Sequence, residues 1–489
     1  MIRDERKYDK MNVKTAIKKV REKGLGYAFK YATMKLYSKT QSEDAPAKDK
    51  KAYNILLLTN RDSDNLGDQV IEACDIGLIQ TVMKNLGVKE THYMINSRAA
   101  AIVPQKYLNT RDEKHLKNAR KTIKGSDIVI FGGAPLFNYL YQTFYEKTAV
   151  TLEIAEEFHK PVIFSAIGVE RYEEDNAKCQ RLKKTLNFDC VKQITTRDDF
   201  DALQKYRESE HVTIGKVSDP AVFSDKIFEN YTCKDKSKEK KKIGLFILRA
   251  NGFVDNQIDF DREKAAKLWL DLMDDLKEKG YDYELLTSGH FGDEAFIDYL
   301  IRNHNVPLSK CVFNMNTPEK MIEKISSYDA IVSCRLHPSI IAFALDVPSI
   351  GLVWNVKVKG FYNSIGCQDR VIETPGITSK LLLEKIEQAM EEGVTKDKDY
   401  LCTVYNALFN SIQRIIYGEE SDIKPYTYDE ILKNMPVYSG TTPTEREEKL
   451  ERKFRRTYNM YNTRFERNME YQETIKKLKK EIEELKNNN

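Results

Sequence analysis

The sequence predicts an α/β fold built from two parallel-sheet domains, with a distinct helical segment at each end. Three observations carry that prediction. From Tyr53 onward, short and uniformly apolar runs alternate with stretches of helical period, the pattern of strands buried on both faces and crossover helices. A charged stretch without apolar residues, 234–242, interrupts the alternation once. The length, 489 residues, exceeds what a single core supports.

Residues 11–39 come first. Val13, Ala16, Ile17 and Val20, and then Leu25, Ala28, Phe29, Ala32 and Leu36, recur at helical spacing, with eight Lys/Arg against one Glu. Gly24 and Gly26 divide the segment into two helices. A basic amphipathic segment of this kind reads as a membrane-surface anchor or as a solvated helix packed on the body. The polar residues from Gln41 to Lys51 make a linker, so 1–51 forms one unit.

The first domain, 52–233, opens with the strand Asn54–Thr59 and continues through helical stretches near 68–86 and 112–124. Strands follow at 127–131, 162–166 and 193–196. After the linker at 234–242, the second domain, 243–435, begins with the strand 243–248. A helix near 262–279, a strand at 283–286, a helix near 292–303 and strands at 329–333 and 349–354 complete it. The helix near 401–417 presents Leu401, Val404, Tyr405, Leu408, Ile412, Ile415 and Ile416 on one face and is placed to cross back to the first domain. Finally, in 444–489, Tyr471, Ile475, Leu478, Ile482 and Leu485 step by alternating fours and threes, a heptad seam. Self-association through a coiled coil is one reading; a lone helix folded onto the body is the other.

The composition narrows the function. With 79 basic and 75 acidic residues the net charge is only +4, which argues against wholesale nucleic-acid binding. The eight cysteines are scattered and include no CxxC pair, so the expectation is reduced thiols in a cytoplasmic protein. No apolar run approaches the ~20 residues that span a bilayer. Six histidines (92, 115, 159, 211, 290 and 304) show no ligand spacing, and no metal site is expected.

Five short constellations fall at strand ends, where parallel sheets bind ligands. Asp64-Asn65-Leu66-Gly67-Asp68 follows the first strand: Gly67 permits a sharp turn, so that backbone N–H groups and the Asp68 side chain face a ligand, or Asp68 simply caps the next helix. Gly132-Gly133 allows close backbone approach or simply makes a tight turn. Arg197 offers a fork to a carboxylate or phosphate, or pairs internally with an Asp. Asp219 accepts from a sugar hydroxyl or caps a turn. The turn holding Arg335 and His337, with Lys357 twenty residues on, combines two fixed cations with a group that titrates near neutrality. It suits a small, multiply charged anion with a proton to move.

Taken in order, Asn65-Leu66-Gly67-Asp68, Gly132-Gly133, Arg197-Asp198, Asp219-Pro220, Arg335-Leu336-His337 and Lys357 with Gly360 resemble the polysaccharide pyruvyltransferase family over about residues 53–390. The resemblance implies two Rossmann-like domains in a glycosyltransferase B-like arrangement. It also implies a reaction in which the pyruvyl group of phosphoenolpyruvate passes to two hydroxyls of a sugar, giving a cyclic ketal and phosphate. No cofactor beyond the phosphoenolpyruvate donor is implied. Arg335, His337 and Lys357 would line the donor pocket, with Arg197 reaching it across the cleft and His337 and Arg197 acting in catalysis. Asn65, Gly67, Asp68, Gly132, Gly133 and Asp219 would hold a glycan or lipid-linked glycan acceptor, the latter fitting a membrane-surface anchor at 11–39. The chain departs from the family pattern at Ala134, at Asp199-Phe200 and at Gly168-Val169-Glu170-Arg171, all on the acceptor side. Two other readings compete: a nucleotide-sugar glycosyltransferase on the same architecture, and a non-catalytic scaffold assembled through its coiled coil.

Overall fold

The computed structural model describes residues 30, 32–34, 50–139, 144–233, 240–249, 251–374, 376–419 and 421–487. The chain divides into two compact units, 1–440 and 441–489.

The first unit contains two all-parallel sheets. One has six strands: β1 (Tyr53–Thr59), β2 (Tyr93–Ala99), β3 (Ile128–Gly132), β4 (Val162–Ile167), β5 (Val191–Thr196) and β6 (Thr213–Lys216), ordered β2-β1-β3-β4-β5-β6. The other has five: β7 (Lys242–Phe246), β8 (Asp282–Leu286), β9 (Ala330–Ser333), β10 (Ser349–Val353) and β11 (Val371–Glu373), ordered β11-β10-β9-β7-β8. In each sheet the strand order reverses beside the first strand, so both are doubly wound α/β sheets. All strands within a sheet run one way, so their carboxyl ends share one edge, and every constellation singled out above lies there. The strands that read from sequence as apolar runs are the central ones. β3 and β4 are buried along their whole length because helices cover both faces.

The helices that position the site are α1 (Leu66–Asn85), α2 (Phe291–His304), α3 (Leu336–Ala344), α4 (Val356–Ser364) and α5 (Lys398–Tyr417). α5 belongs by sequence to the second sheet but packs on the first. Its Thr403 hydroxyl accepts from the Ser218 N–H at 2.9 Å, and its Ala407 carbonyl accepts from Gln193 at 3.0 Å. One buried cluster joins Leu57, Ile71 and Phe223 on the first-sheet side to Phe246, Ile331 and Ile341 on the second and to Leu401, Leu408 and Ile412 of α5. That shared core explains why the two sheets form one unit despite the polar break at 234–242, of which 234–239 lies outside the described residues.

Of the amphipathic segment 11–39, only Lys30, Ala32, Thr33 and Met34 are described. Met34 is buried with Ala52 and Met94, and the Lys30 ammonium sits 4.5 Å over the Tyr93 ring, so this part packs against the β2 edge. The rest of that expectation falls outside the described residues. The second unit contains one 45-residue helix, α6 (Pro443–Asn487). No described helix is long and apolar enough to cross a membrane.

Candidate active site

The site is built where the turn after β1 meets the turns after β8 and β9. Asn65 caps α1: its side-chain oxygen accepts the Gly67 N–H at 3.2 Å. That leaves its NH₂ group facing His337 Nδ1, also at 3.2 Å. Because the Asn65 oxygen is already used by the cap, Nδ1 must be the acceptor, so in the neutral ring the proton sits on Nε2. His337 Nε2 is buried and has no hydrogen-bond partner. The approach is close enough to require glycine at 67: an added Cβ would lie 2.2 Å from both Cβ and Nδ1 of His337. The neighbouring turn locks in as well. The Leu66 N–H donates to the Ser288 carbonyl at 2.8 Å, and Gly289, at φ +93°, passes so near Asp64 that a Cβ would come 2.7 Å from its carbonyl oxygen.

Three cations surround the imidazole. Burial drives the His337 pKa well below its ordinary value, and the charges of Arg197, Lys357 and Arg335 push it further the same way. His337 is therefore a neutral N–H donor at physiological pH, in a field that favours an anion.

The cations are themselves positioned. Asp293, in the first turn of α2 and fully buried, accepts from Arg335 Nε at 2.9 Å and Nη2 at 2.7 Å through one oxygen. Its other oxygen accepts the Arg249 backbone N–H at 3.1 Å and lies 3.5 Å from Arg249 Nη1. The Arg335 guanidinium also lies 5.4 Å from the Trp354 ring centroid. Lys357 starts α4, where Asn355 accepts its N–H at 3.1 Å, and its ammonium reaches to 3.8 Å from Asp198. This is a contact between the two sheets' strand ends, and Gly168 leaves room for it: a Cβ there would sit 3.3 Å from Lys357 Nζ and 3.0 Å from Asp198.

Arg197 is less available than its sequence position suggests. It is buried, Nη1 donates to Asp219, and Nε lies 3.8 Å from Asp198 with no hydrogen-bond partner. The internal Arg–Asp pair weighed as one reading of this motif is what forms. Asp219 is correspondingly turned inward: it pairs with Arg197 and caps the Ala221 N–H at 2.8 Å. Burial raises its pKa and Arg197 pulls it back. Gly132 and Gly133 serve close packing against α1. A Cβ on Gly132 would lie 2.2 Å from an Asp75 carboxylate oxygen, and one on Gly133, at φ +52°, 2.2 Å from Ile71.

Asp68 accepts from Asn60 at 2.9 Å. Burial pushes its pKa up to about 6, against the opposing pull of Ser63, Arg197, Asn60 and Arg335. A carboxyl titrating there is suited to accept a hydroxyl proton near neutrality.

Sequence reasoning missed Arg249, His290, Asp293 and Asp75. His290 caps α2, its Nδ1 accepting the Gly292 N–H at 3.2 Å, and burial lowers its pKa to about 4. It sits in a strand-to-helix turn like that of His337, and that placement was the available signal. Asp75 lies inside α1 with one oxygen unpartnered; burial, then the Asp219 charge, raises its pKa well above the usual range.

No curated protein matches the chain. Solved structures with a similar trace include the UDP-GlcNAc 2-epimerase of Methanocaldococcus jannaschii, at 12% identity over 73% of this chain and 98% of that one, TM-score 0.43. Another is the ADP-heptose LPS heptosyltransferase II of E. coli, at 13% identity over 70% and 99%, TM-score 0.35. A family model described as polysaccharide pyruvyl transferase matches residues 46–356, a span that takes in the strand-end turns of both sheets up to the residue before Lys357. The chain belongs to the polysaccharide pyruvyl transferase family.

Proposed function

We propose that the chain transfers the pyruvyl group of phosphoenolpyruvate to two hydroxyls of a sugar in a cell-surface polysaccharide or its lipid-linked precursor. The observation that carries this reading is the buried, unpartnered His337 Nε2 within the charge field of Arg335, Lys357 and Arg197. Phosphoenolpyruvate brings a carboxylate and a phosphate, and two arginines and a lysine at strand ends match that charge.

The atoms balance without a redox partner. C3 of the donor gains a proton and C2 is attacked by the first hydroxyl oxygen. The C2–O bond to phosphate then breaks, and the second hydroxyl closes the ketal. Two hydroxyl protons leave the sugar; one ends on C3 and one on phosphate. In this scheme Asp68 accepts the first hydroxyl proton; the bound anion raises the His337 pKa, and the imidazolium so formed delivers its Nε2 proton to C3 of the donor. Arg335 and Lys357 hold the anion and the departing phosphate, while Arg197, through Asp219 and Asp198, keeps the acceptor-side turns in place. Acceptor contacts fall to the turns at Asn65–Asp68 and Gly132–Gly133.

The test is phosphate release from phosphoenolpyruvate with a panel of free and lipid-linked glycans. Release by the wild type and its loss in His337→Ala supports the reading. Stabilisation by nucleotide-diphosphate sugars and not by phosphoenolpyruvate would favour glycosyl transfer. Inertness to every donor would favour a scaffold.

A further inference from the structure

The reaction does not absorb α6. Its seam side chains remain open to solvent: Tyr471 is 65% exposed, Ile475 50%, Leu478 51%, Ile482 51% and Leu485 65%. A single helix of this length draws little stability from propensity alone and needs a packed face.

We infer that residues 468–487 of α6 pair with the same residues of a second copy as a parallel, two-stranded zipper whose register is set by Asn468. In heptad terms Asn468, Ile475 and Ile482 occupy position a, and Tyr471, Leu478 and Leu485 occupy position d. Ile at a with Leu at d selects two parallel strands, and one Asn at a fixes register at some cost in stability. Charge agrees with that direction. In a parallel pair Glu481, at position g, meets Lys486 of the other copy at the following position e. Turned antiparallel over the same span, position e flanks e and position g flanks g, so the Glu481–Lys486 pairing is lost. The zipper starts at Asn468 because the preceding d position is Arg464, which would meet its own copy across the seam. The outward positions b, c and f of the two C-terminal heptads are Lys, Glu and Asn, a solvated face. This inference does not depend on the reaction proposed above.

The test uses the full chain. Light scattering across a concentration series should show a mass rising to twice that of one chain, and Ile475→Asp with Leu478→Asp should hold it at one. The direction is read with Leu478→Cys. Mild oxidation should give a covalent dimer, since position d meets position d in a parallel pair and is displaced along the helix in an antiparallel one. Asn468→Ile should raise the midpoint of dissociation or yield species larger than a dimer. A chain that stays monomeric at its highest attainable concentration overturns the proposal. So does a dimer unaffected by the double aspartate variant, or one that fails to cross-link through residue 478. A monomer that sediments with anionic vesicles through this helix assigns the face to lipid and also overturns it.

Discussion

The Asn65 carboxamide meets the His337 imidazole at 3.2 Å across 272 residues of chain. The contact joins the turn after β1 to the turn after β9, and it decides which ring nitrogen carries the proton. Asn65→Asp replaces the donor with an acceptor: Nδ1–H is then favoured and the imidazolium is stabilised. The activity limb governed by His337 should move to higher pH. Asn65→Ala should lower kcat by about 10²–10⁴-fold, the usual scale for a displaced acid–base group, without that alkaline shift. Overlaid pH–rate profiles of the two variants provide the check.

Gly67→Ala should act through the same contact. The new methyl would stand 2.2 Å from both the Cβ and the ring Nδ1 of His337, so a turn must move. Overpacking of this kind costs about 1–3 kcal/mol. A lowered Tm and loss of phosphate release are expected together, whereas Gly360→Ala, where a Cβ meets nothing within 4 Å, should leave the Tm nearly unchanged apart from helix propensity.

Much of this arrangement is legible in the sequence. The central strands read as apolar runs because they are buried on both faces. The chemistry-bearing turns read because strand, Gly or Arg/His, and helix follow one another directly. β2, β6 and β11 did not read: β2 carries Asn96, Ser97 and Arg98, and β6 and β11 are only four and three residues long. These are the edge strands of their sheets, except that β8 closes the second. Asp293 did not read either. Its importance comes from zero exposure and from Arg335, 42 residues away, and neither property has a local sequence signature.

Asp293 yields a prediction that separates charge from shape. Removing one partner of a buried ion pair typically costs about 3–5 kcal/mol. Asp293→Ala should therefore lower stability more than Arg335→Ala, whose loss leaves Asp293 with the Arg249 contacts. Arg335→Lys keeps the charge but loses the fork that Asp293 holds. It should raise the KM for phosphoenolpyruvate at least ~10-fold, the loss of about one charge-assisted hydrogen bond. Thermal melts and donor-concentration series read the two effects separately.

His337 and His290 both have depressed folded-state pKa values, the latter about 4. For a histidine shifted this way, the unfolded chain binds the proton more readily. The stability contribution is complete above the unfolded pKa of about 6.5 and is lost as pH falls below it. Acid destabilisation should begin below about pH 6.5, and His290→Asn should flatten the curve between there and about 4. Binding works in the opposite direction. An anion beside His337 raises its pKa, so phosphoenolpyruvate should bind with proton uptake and bind more tightly as pH falls toward the bound-state pKa. Titration calorimetry in buffers of different ionisation enthalpy measures that uptake, and His337→Asn should remove its own share.

Asp68 titrates at about 6 because burial outweighs the pull of Ser63, Asn60 and the two arginines. As the base for a sugar hydroxyl it must be ionised, so kcat should rise with pH through about 6 and level off above. Asp68→Asn preserves the volume and the Asn60 contact while removing the base. It should cut kcat by about 10²–10⁴-fold, abolish the rise near pH 6, and leave phosphoenolpyruvate affinity within a few-fold of wild type. The variant should not be less stable above pH 6. A carboxyl with a raised folded-state pKa stabilises the fold only in its neutral form, and that contribution is lost as pH climbs through about 6. A kcat unchanged by the substitution would leave the acceptor proton to another group. Its nearest rival, Asp75, is held back by a pKa raised well above the carboxylate range and by its position against Gly132.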